Sequence, residues 1–487
     1  MQNPRQDLRR TDILLLFFLS VAAFLIHGYH PGAEDAEIYI PGVLKLLNPR
    51  LFPYNAEFFG SHAHLTLFPN LIAASIRVTH LSLETVLLLW QFASIFLLLL
   101  ACWLLIGKCF RERNARWAGV SLVAALLTLP VAGTALYILD QYTNPRNLVA
   151  SAGIFAINAV LEKKYFQMVL WLAVAFAVHP LMPVFVLSFC LLLIVMGSER
   201  SSSLQLAAIS PLGFLFDPPS PAYHEALNSH SYFLLLRWEW YEWLGIIAPI
   251  ILLWGLSRLA RGNKQWTLEL LCRALVIYGS IYFIGALIVA IPARLEGLSR
   301  LQPLRSLYLL YVLLVLIGGG LLGQYVLKTR VWKWLALFLP LCAGMCFAQR
   351  ALFPASSHIE WPGTAPRNQW AQAFLWIRDN TPVNAFFALD PFHMRIPGED
   401  MHGFRVMAER SMLADAVKDS GAVSMFPPLA EKWLEQVQAQ SDWKEFQIPD
   451  FQRLHARYGV DWVVLQQPGI SGLQCPYQNS AVVVCRI

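Results

Sequence analysis

Three carboxylates, Glu34, Asp35 and Glu37, lie close together in the stretch from His30 to Tyr39. If this stretch is helical, Asp35 and Tyr39 are four residues apart and share a face. A carboxylate here could take a proton from an acceptor hydroxyl, and Asp35 with Glu37 could hold a divalent cation such as Mg²⁺ or Mn²⁺. The alternative is an acidic, solvated loop whose carboxylates help to start a helix.

Five arginines form a second candidate set, because they fall where the orientation derived below predicts few basic residues. The planar guanidinium pairs with two phosphate oxygens at once, so outward arginines near the membrane suit a lipid-linked phosphate. The alternative for each is contact with lipid headgroups or with a nearby glutamate. The five are Arg146, Arg237, Arg294, Arg300 and Arg305.

His179 precedes Pro180 at the end of an apolar run. It could bind substrate there, although a histidine that caps the last carbonyl groups of a helix is more common. The one glycine run, at 318–320, lies inside an apolar run, and no glycine-rich nucleotide loop precedes a predicted helix. The sequence therefore disfavours a nucleotide-dependent enzyme or an ATP-driven pump.

The composition indicates which solvent these residues occupy. Of the 487 residues, 57% are hydrophobic and only 14% are charged, and the mean hydropathy is +0.50. A soluble domain carries about a quarter charged residues. The balance is typical of a polytopic α-helical membrane protein. It excludes a disordered chain, a basic nucleic-acid-binding protein and a disulfide-stapled secreted module.

Apolar runs predict about eleven membrane spans. Several runs between 148 and 216 are shorter than the ~20 residues that cross a bilayer unaided, so short or tilted helices are expected there. The runs are 13–26, 84–107, 117–139, 148–161, 166–179, 181–197, 203–216, 244–260, 268–291, 304–327 and 331–349.

Basic loops set the predicted orientation. With eleven spans, the loops at 108–116, 163–164, 258–264 and 328–333 all fall in the cytoplasm, the amino terminus lies inside and the carboxyl terminus lies outside. Leu65–His80 must then be a helix lying on the outer surface, because counting it as a span would invert every later loop. We therefore predict a multi-pass protein of a bacterial inner (plasma) membrane, with a long first outer loop over 28–83.

The composition changes near residue 350, which predicts a transmembrane domain over 1–349 and a second domain over 350–487. The second region alternates helix-like and strand-like stretches, as expected of a small extracytoplasmic α/β domain. Cys475 and Cys485 flank a predicted hairpin, where a disulfide and two reduced thiols are both open. The predicted helices are Trp370–Asn380, Leu429–Gln440 and Asp450–Tyr458, and the predicted strands are Ala385–Leu389, Val460–Leu465 and Ala481–Cys485.

This layout resembles the GT-C superfamily of integral-membrane glycosyltransferases. Asp35 and Tyr39 look like the Asp-x-x-x-Tyr element near the start of the first outer loop in that family. Leu65–His80 is similar to the surface helix that precedes the second span. Trp376–Pro382 and Tyr458–Val464 look like parts of the outer domain in many bacterial relatives. The likeness covers nearly the whole chain.

The resemblance implies sugar transfer from a polyprenyl-phosphate-linked donor to a lipid or glycan acceptor at the outer face of the membrane. Asp35 would be the base, and outward arginines would stabilise the phosphate leaving group. Metal dependence stays open, because Ala36 stands where many relatives carry a second carboxylate. The implied phosphate-binding residues are Arg146, Arg300 and Arg305, followed by Arg294 and Arg237; the implied substrate-binding residues are Glu34, Tyr39 and His179.

Two alternatives belong to other functional classes. A transporter or lipid flippase would need a polar pathway through the span centres, and the sequence supplies few ionisable residues there. A non-catalytic membrane component of envelope glycan assembly would use the tail, residues 350–487, to bind partners. Loss of product formation in Asp35→Asn would separate a transferase from both.

Overall fold

The computed structural model describes residues 8–197, 220–291 and 293–487, and it is mostly helical. Its helices are α1 (Arg10–His27), α2 (Ala36–Leu47), α3 (Glu57–His64), α4 (Phe68–Thr79), α5 (Leu83–Cys109), α6 (Arg113–Ala125), α7 (Pro145–Leu161), α8 (Tyr165–Val178), α9 (Met182–Gly197), α10 (Pro221–Asn228), α11 (Trp240–Gly262), α12 (Trp266–Ala290), α13 (Leu307–Leu321), α14 (Val331–Leu352), α15 (Gln369–Asn380), α16 (Phe404–Ala408), α17 (Asp419–Met425), α18 (Ala430–Ala439) and α19 (Ile448–Tyr458). Its strands are β1 (Phe386–Leu389), β2 (Ser411–Met412), β3 (Trp462–Gln466), β4 (Gln474–Gln478) and β5 (Val482–Arg486).

Six helical segments of the described chain are long and apolar enough to cross a membrane, so this is a multi-pass membrane protein. They are α1, α5, α11, α12, α14 and the segment Gly297–Leu327, which contains α13, and each coincides with a predicted span. The apolar helices α7, α8 and α9 are only 17, 14 and 16 residues long, as the short runs predicted. The predicted number of eleven spans is not confirmed.

One predicted span, over 117–139, is wrong. α6 ends at Ala125, and residues 126–144 form an irregular segment. Pro130 has no N–H to donate to a helix and instead pairs with Tyr137 across a tight turn. The predicted span over 203–216 lies outside the described residues.

The predicted first outer loop, over 28–83, turns sharply after α1. Gly28 has a φ of 78°, and a Cβ there would clash with the carbonyl oxygen of His358 in the tail. The loop then forms α2, α3 and α4, and α4 occupies the stretch where a surface helix was predicted. Because α4 buries Phe68 and Ile72 in the same cluster as Ile40 of α2, the two helices form one layer.

The tail forms a five-stranded sheet in the order β2-β1-β3-β5-β4. β1 is parallel to β2 and β3, and β5 is antiparallel to β3 and β4. Alternate strand residues pack against α15 on one face and α19 on the other. The three helices and three strands predicted for this region agree with the structure within two residues. A disulfide joins Cys475 in β4 to Cys485 in β5.

The tail packs directly on the first outer loop. Isolated β-bridges pair Tyr29 with Ile359 and Ala33 with His402. α2 also packs against α16, and α3 against α17. The acidic stretch that begins α2 therefore lies between the apolar helices and the tail.

Candidate functional site

Asp35 lies at the N-cap position of α2, yet its carboxylate does not cap the helix. Aspartate usually serves this position by accepting a hydrogen bond from a backbone N–H of the first turn. Here Oδ2 accepts a hydrogen bond from Arg146 Nη1 at 2.7 Å, and Oδ1 accepts one from Lys418 Nζ at 2.9 Å. Both carboxylate oxygens are thus engaged with cations from distant parts of the chain.

Arg146 is positioned by the start of α7. Asn144 caps this helix by accepting a hydrogen bond from the Asn147 N–H, and Pro145 fills the first position, where no backbone donor is needed. Arg146 Nη2 also donates to Asp140 Oδ2 at 3.1 Å, so the guanidinium lies between two carboxylates. Its buried Nε has no hydrogen-bond partner among the described residues.

Glu34 and Lys418 complete the cluster. Glu34 has a φ of 57°, a conformation that costs a non-glycine residue about 1 kcal/mol or more, and its N–H donates to the Met401 carbonyl oxygen at 2.8 Å. Its Oε2 accepts a hydrogen bond from Lys418 Nζ at 2.5 Å. Lys418 directly precedes α17, so the cluster joins the first outer loop, α7 and the tail.

The cluster consists of full charges. Burial alone would raise the pKa of the Asp35 carboxyl, but Lys418 and Arg146 outweigh it and hold that pKa well below its usual range. Burial alone would lower the pKa of Lys418, but Asp35 and Glu34 raise it well above its usual value. Asp35 and Lys418 are therefore both ionised at physiological pH.

Two cavities meet at Asp35. The smaller has a volume of about 90 Å³ and is bounded by α2, the end of α8 and α17; the larger has about 330 Å³ and is bounded by the irregular segment before α7 and by the tail. Six residues line both cavities: Asp35, Ile38, Arg146, Tyr232, Arg305 and Gly421.

Arg305 is a cation without an acidic partner among the described residues. It lies in the short 3-10 turn Pro303–Ser306 that leads into α13. Its guanidinium lies 5.8 Å from the centre of the Tyr232 ring, and its buried Nε has no hydrogen-bond partner in the described chain. An inward guanidinium without a counter-charge is unfavourable unless it meets an anion. Arg305 therefore indicates an anion-binding position at the cavities that Asp35 lines.

His179 and Tyr39 both line the smaller cavity. His179 follows α8, and its Nδ1 accepts hydrogen bonds from the N–H groups of Leu181 and Met182 at 3.2 and 3.3 Å. Burial, reinforced by the charges of Arg146 and Arg305, holds the pKa of His179 well below its usual value. The neutral ring must then carry its hydrogen on Nε2, which makes it a donor.

Glu37 is engaged elsewhere. Its carboxylate accepts hydrogen bonds from the N–H groups of Arg405 and Val406 at 3.0 and 3.1 Å and from Arg405 Nη1 at 3.3 Å. Arg405 in turn donates to both oxygens of Asp419, at 2.9 and 2.7 Å. Glu37 is fully buried, and it does not join Asp35 as a pair of metal ligands.

The residues around Asp35 do not fit a divalent cation. Arg146 and Lys418 already engage both oxygens of the carboxylate, and their charges would repel a further cation. Among the described residues, no group of three or more His, Cys, Asp or Glu is arranged to hold a metal ion. We therefore assign no step to a metal.

Two of the other predicted arginines, Arg237 and Arg300, do not line these cavities. Arg237 donates to a backbone carbonyl oxygen at 3.3 Å and lines a separate cavity. Arg300 lies in the 3-10 segment Ala293–Leu301 and lines neither of the two cavities at Asp35. The side chain of Arg294 lies outside the described part of the chain. Of the four predicted arginines whose side chains are described, Arg146 and Arg305 line the cavities at Asp35.

Sequence reasoning missed the cations that the tail supplies. Lys418 and Arg395 both line the larger cavity. Neither stands in a recognisable motif, and the tail was interpreted as a separate domain. The carboxylates of the first loop were the available signal, because carboxylates that become buried need cationic partners.

No protein-family model and no curated protein sequence matches this chain. Among solved structures, a crystal structure of an oligosaccharyltransferase from Archaeoglobus fulgidus, in complex with zinc and sulfate, is similar in outline. The two sequences are 12% identical, the TM-score is 0.43, and the match covers 93% of this chain and 67% of that chain. At this identity and TM-score, no residue role is carried over.

Proposed function

We propose that this protein transfers a sugar from a polyprenyl-phosphate-linked donor to a lipid or glycan acceptor. The observation that carries the proposal is that the Asp35 carboxylate lines the same two cavities as the Arg305 guanidinium, which has no acidic partner among the described residues. Glycosyl transfer needs one group that takes a proton from the acceptor and another that stabilises the leaving anion. Asp35 and Arg305 supply these two chemistries at one place.

In the proposed reaction, Asp35 takes the proton of an acceptor hydroxyl, and the hydroxyl oxygen forms a bond to the anomeric carbon of the sugar. The bond between that carbon and the phosphate oxygen breaks, and its electron pair stays on the phosphate. The products are the glycosylated acceptor and a lipid phosphate with one more negative charge. The unpartnered Nε groups of Arg146 and Arg305 are donors that stabilise this charge.

The surroundings of the two arginines suit a donor that carries a lipid chain. Arg146 and Arg305 also line a narrow cleft whose other walls are mainly apolar side chains of α7, α9 and α13, among them Val149, Phe185 and Leu309. A phosphate at the guanidinium groups would place an attached chain against these walls. One molecule then matches both the charge and the apolar surface.

The remaining polar groups suit sugar hydroxyls. His179 and Tyr39 supply hydrogen-bonding groups in the smaller cavity, and Glu34 supplies a carboxylate in the larger one. Arg9 and Arg10 precede α1 and support a cytoplasmic amino terminus by the positive-inside rule. The loop after α1, and the region 350–487 that packs on it, would then lie at the outer face of a bacterial plasma membrane. The site then lies where the region 1–349 meets that outer region.

Asp35→Asn tests the proposal. Membranes that contain the full-length protein are incubated with polyprenyl-phosphate hexoses and pentoses and a bacterial lipid extract, and donor consumption is followed by mass spectrometry. The variant should lose transfer by about 10²- to 10⁴-fold, the usual contribution of a general base. Asp379→Asn is the matched control, because Asp379 is an exposed tail carboxylate paired with Arg378.

Two results would count against the proposal. Wild-type turnover in Asp35→Asn would show that Asp35 is not the general base. Wild-type membranes that consume none of these donors would favour a transporter or a non-catalytic component of glycan assembly.

A further inference from the structure

Lys418 forms a bridge from the tail to the acidic start of α2. Its ammonium contacts Glu34 at 2.5 Å and Asp35 at 2.9 Å, and its side chain is 11% exposed. It also lines the larger cavity, as do Glu34 and Asp35. The bridge therefore borders space that a ligand can occupy.

Other contacts hold the tail to the loop independently of this bridge. Glu37 bonds to Arg405 in an enclosed pair, and Ala33 pairs with His402. Arg146 retains Asp140 as a partner when Asp35 is disregarded. Lys418 and Arg146 are thus free to change partners without separating the two regions.

The charges of the larger cavity leave room for one anion. Among the described residues, four cationic side chains line it, namely Arg146, Arg305, Arg395 and Lys418, against three anionic ones, Glu34, Asp35 and Asp140. Burial lowers the pKa of His230, another lining residue, to about 4, so its ring is neutral. The excess of one positive charge matches a phosphodiester, which carries one negative charge, better than a diphosphate.

We propose that this cluster is an anion-exchange site, in which a monoanionic phosphodiester on a lipid chain replaces the Asp35 carboxylate as the partner of Lys418 and Arg146. The inference rests on the proposed function and adds Lys418 as a phosphate-binding residue supplied by the tail. It also explains how Asp35 becomes an effective base. A carboxylate paired with two cations binds a proton poorly, and losing them to the phosphate raises its proton affinity. Donor binding then releases the base that the reaction needs.

The exchange makes an unusual prediction for binding. Asp35 competes with the phosphate for the same two cations, so Asp35→Asn should bind a phosphodiester more tightly than the wild type, by about tenfold or more. Lys418→Met should bind it about ten- to a hundredfold more weakly, the value of one or two hydrogen bonds to a charged group. A salt bridge with only a structural role would give neither change.

The experiment uses the full-length protein in detergent micelles and titrates decyl methyl phosphate, a monoanionic phosphodiester with one alkyl chain. Binding is measured by calorimetry in the wild type, Asp35→Asn and Lys418→Met. Lys432→Met is the matched control, because Lys432 also bridges the tail to the first loop, through Glu57, without lining either cavity. Its affinity should equal that of the wild type. If Lys418→Met does not fold, the affinity of Asp35→Asn for the phosphodiester alone tests the proposal.

Unchanged or weaker binding in Asp35→Asn would overturn the exchange. A second arm titrates inorganic phosphate, which should bind far more weakly because it has no chain for the apolar cleft; equal affinity would overturn the assignment to a lipid-linked phosphate. Failure of the proposed function is distinguishable from these results. If Asp35→Asn binds the phosphodiester more tightly but the wild type transfers no sugar, the anion exchange is supported and the proposed transferase activity is rejected.

Discussion

Two charge clusters join the first outer loop to the tail, and their carboxylates lie only two residues apart. Glu37 pairs with Arg405, which also pairs with Asp419, and these side chains are 0 to 3% exposed. Asp35 meets Arg146 and Lys418, and these are 8 to 23% exposed. Protein surrounds the Glu37 cluster, the enclosed cluster, whereas the Asp35 cluster, the open cluster, borders two cavities. Two clusters of ionisable side chains thus differ in whether a ligand can reach them.

The separation follows from helix geometry. Each residue of an α-helix turns the side-chain direction by about 100°, so residues two apart at the start of α2 point about 200° from each other. Glu37 therefore faces the backbone of α16, while Asp35 faces Arg146 of α7. We infer that the enclosed cluster maintains the fold and that the open cluster carries the chemistry.

The largest change in stability is expected when the enclosed cluster is broken. Arg405→Met leaves three buried carboxylates, Glu37, Asp415 and Asp419, without their shared cation and should lower the free energy of unfolding by about 3–5 kcal/mol. Lys432→Met, which removes an exposed pair, should cost less than about 1 kcal/mol. Denaturant unfolding of the full-length protein in detergent compares the two. Equal, small losses would show that the enclosed cluster does not maintain the fold.

Two arginines close in sequence test whether lining the cavities at Asp35 identifies the residues that act in sugar transfer. Arg305→Gln removes a cation from both cavities and should slow sugar transfer about ten- to a hundredfold, the value of a hydrogen bond between charged groups. Arg300→Gln, five residues earlier and outside both cavities, should stay within about twofold of the wild type. Initial rates of donor consumption measure both variants. Similar losses in the two would remove the distinction drawn from the cavities.

The pH dependence of the unfolding free energy should also differ between the two clusters, although this effect is smaller. Burial, only partly offset by Arg405, raises the pKa of Glu37 to about 8 from its ordinary value of 4.5. A group with a raised folded pKa stabilises the fold fully below its unfolded pKa, and this contribution is lost as the pH rises through the folded pKa. Glu37→Gln should therefore reduce the fall in unfolding free energy between about pH 4.5 and 8.

Asp35→Asn is the control for that titration. Its folded pKa is shifted downward, so its contribution changes only below the ordinary pKa of an aspartate and leaves the slope between pH 4.5 and 8 as in the wild type. Denaturant midpoints at several pH values give the slopes. An unaltered slope in Glu37→Gln would contradict the assignment of a raised pKa to this carboxylate.

Part of this arrangement could be predicted from the sequence. Apolar runs located the six long helices, because membrane-spanning length is directly visible in composition. Sorting charges by side of the membrane selected five arginines, of which Arg146 and Arg305 line a cavity with Asp35. Spacing predicted that Asp35 and Tyr39 share a helix face, and both line this cavity. Strand-like stretches that alternate with helix-like ones predicted three of the five strands in the tail sheet.

Other features depend on contacts between distant segments. Lys418 meets Asp35 across 383 residues of sequence, and no local pattern encodes such a pair. Glu37 was paired with Asp35 because of its closeness in sequence, but the helix turns the two side chains apart. The predicted span over 117–139 was apolar enough, yet Pro130 and the packing of the irregular segment ended the helix at Ala125.

The most direct test compares Asp35→Asn with Glu37→Gln, measuring sugar transfer and the midpoint of thermal unfolding in the same full-length preparations. Asp35→Asn should lose about 10²- to 10⁴-fold in transfer and keep its thermal midpoint, because Arg146 retains Asp140 and Lys418 retains Glu34. Glu37→Gln should lower the thermal midpoint, because its amide N–H₂ replaces one of the two oxygens that accept hydrogen bonds from Arg405 and Val406, and it should keep the transfer rate per folded molecule. Wild-type transfer in Asp35→Asn, or lost transfer at an unchanged thermal midpoint in Glu37→Gln, would contradict the assignment of chemistry to the open cluster.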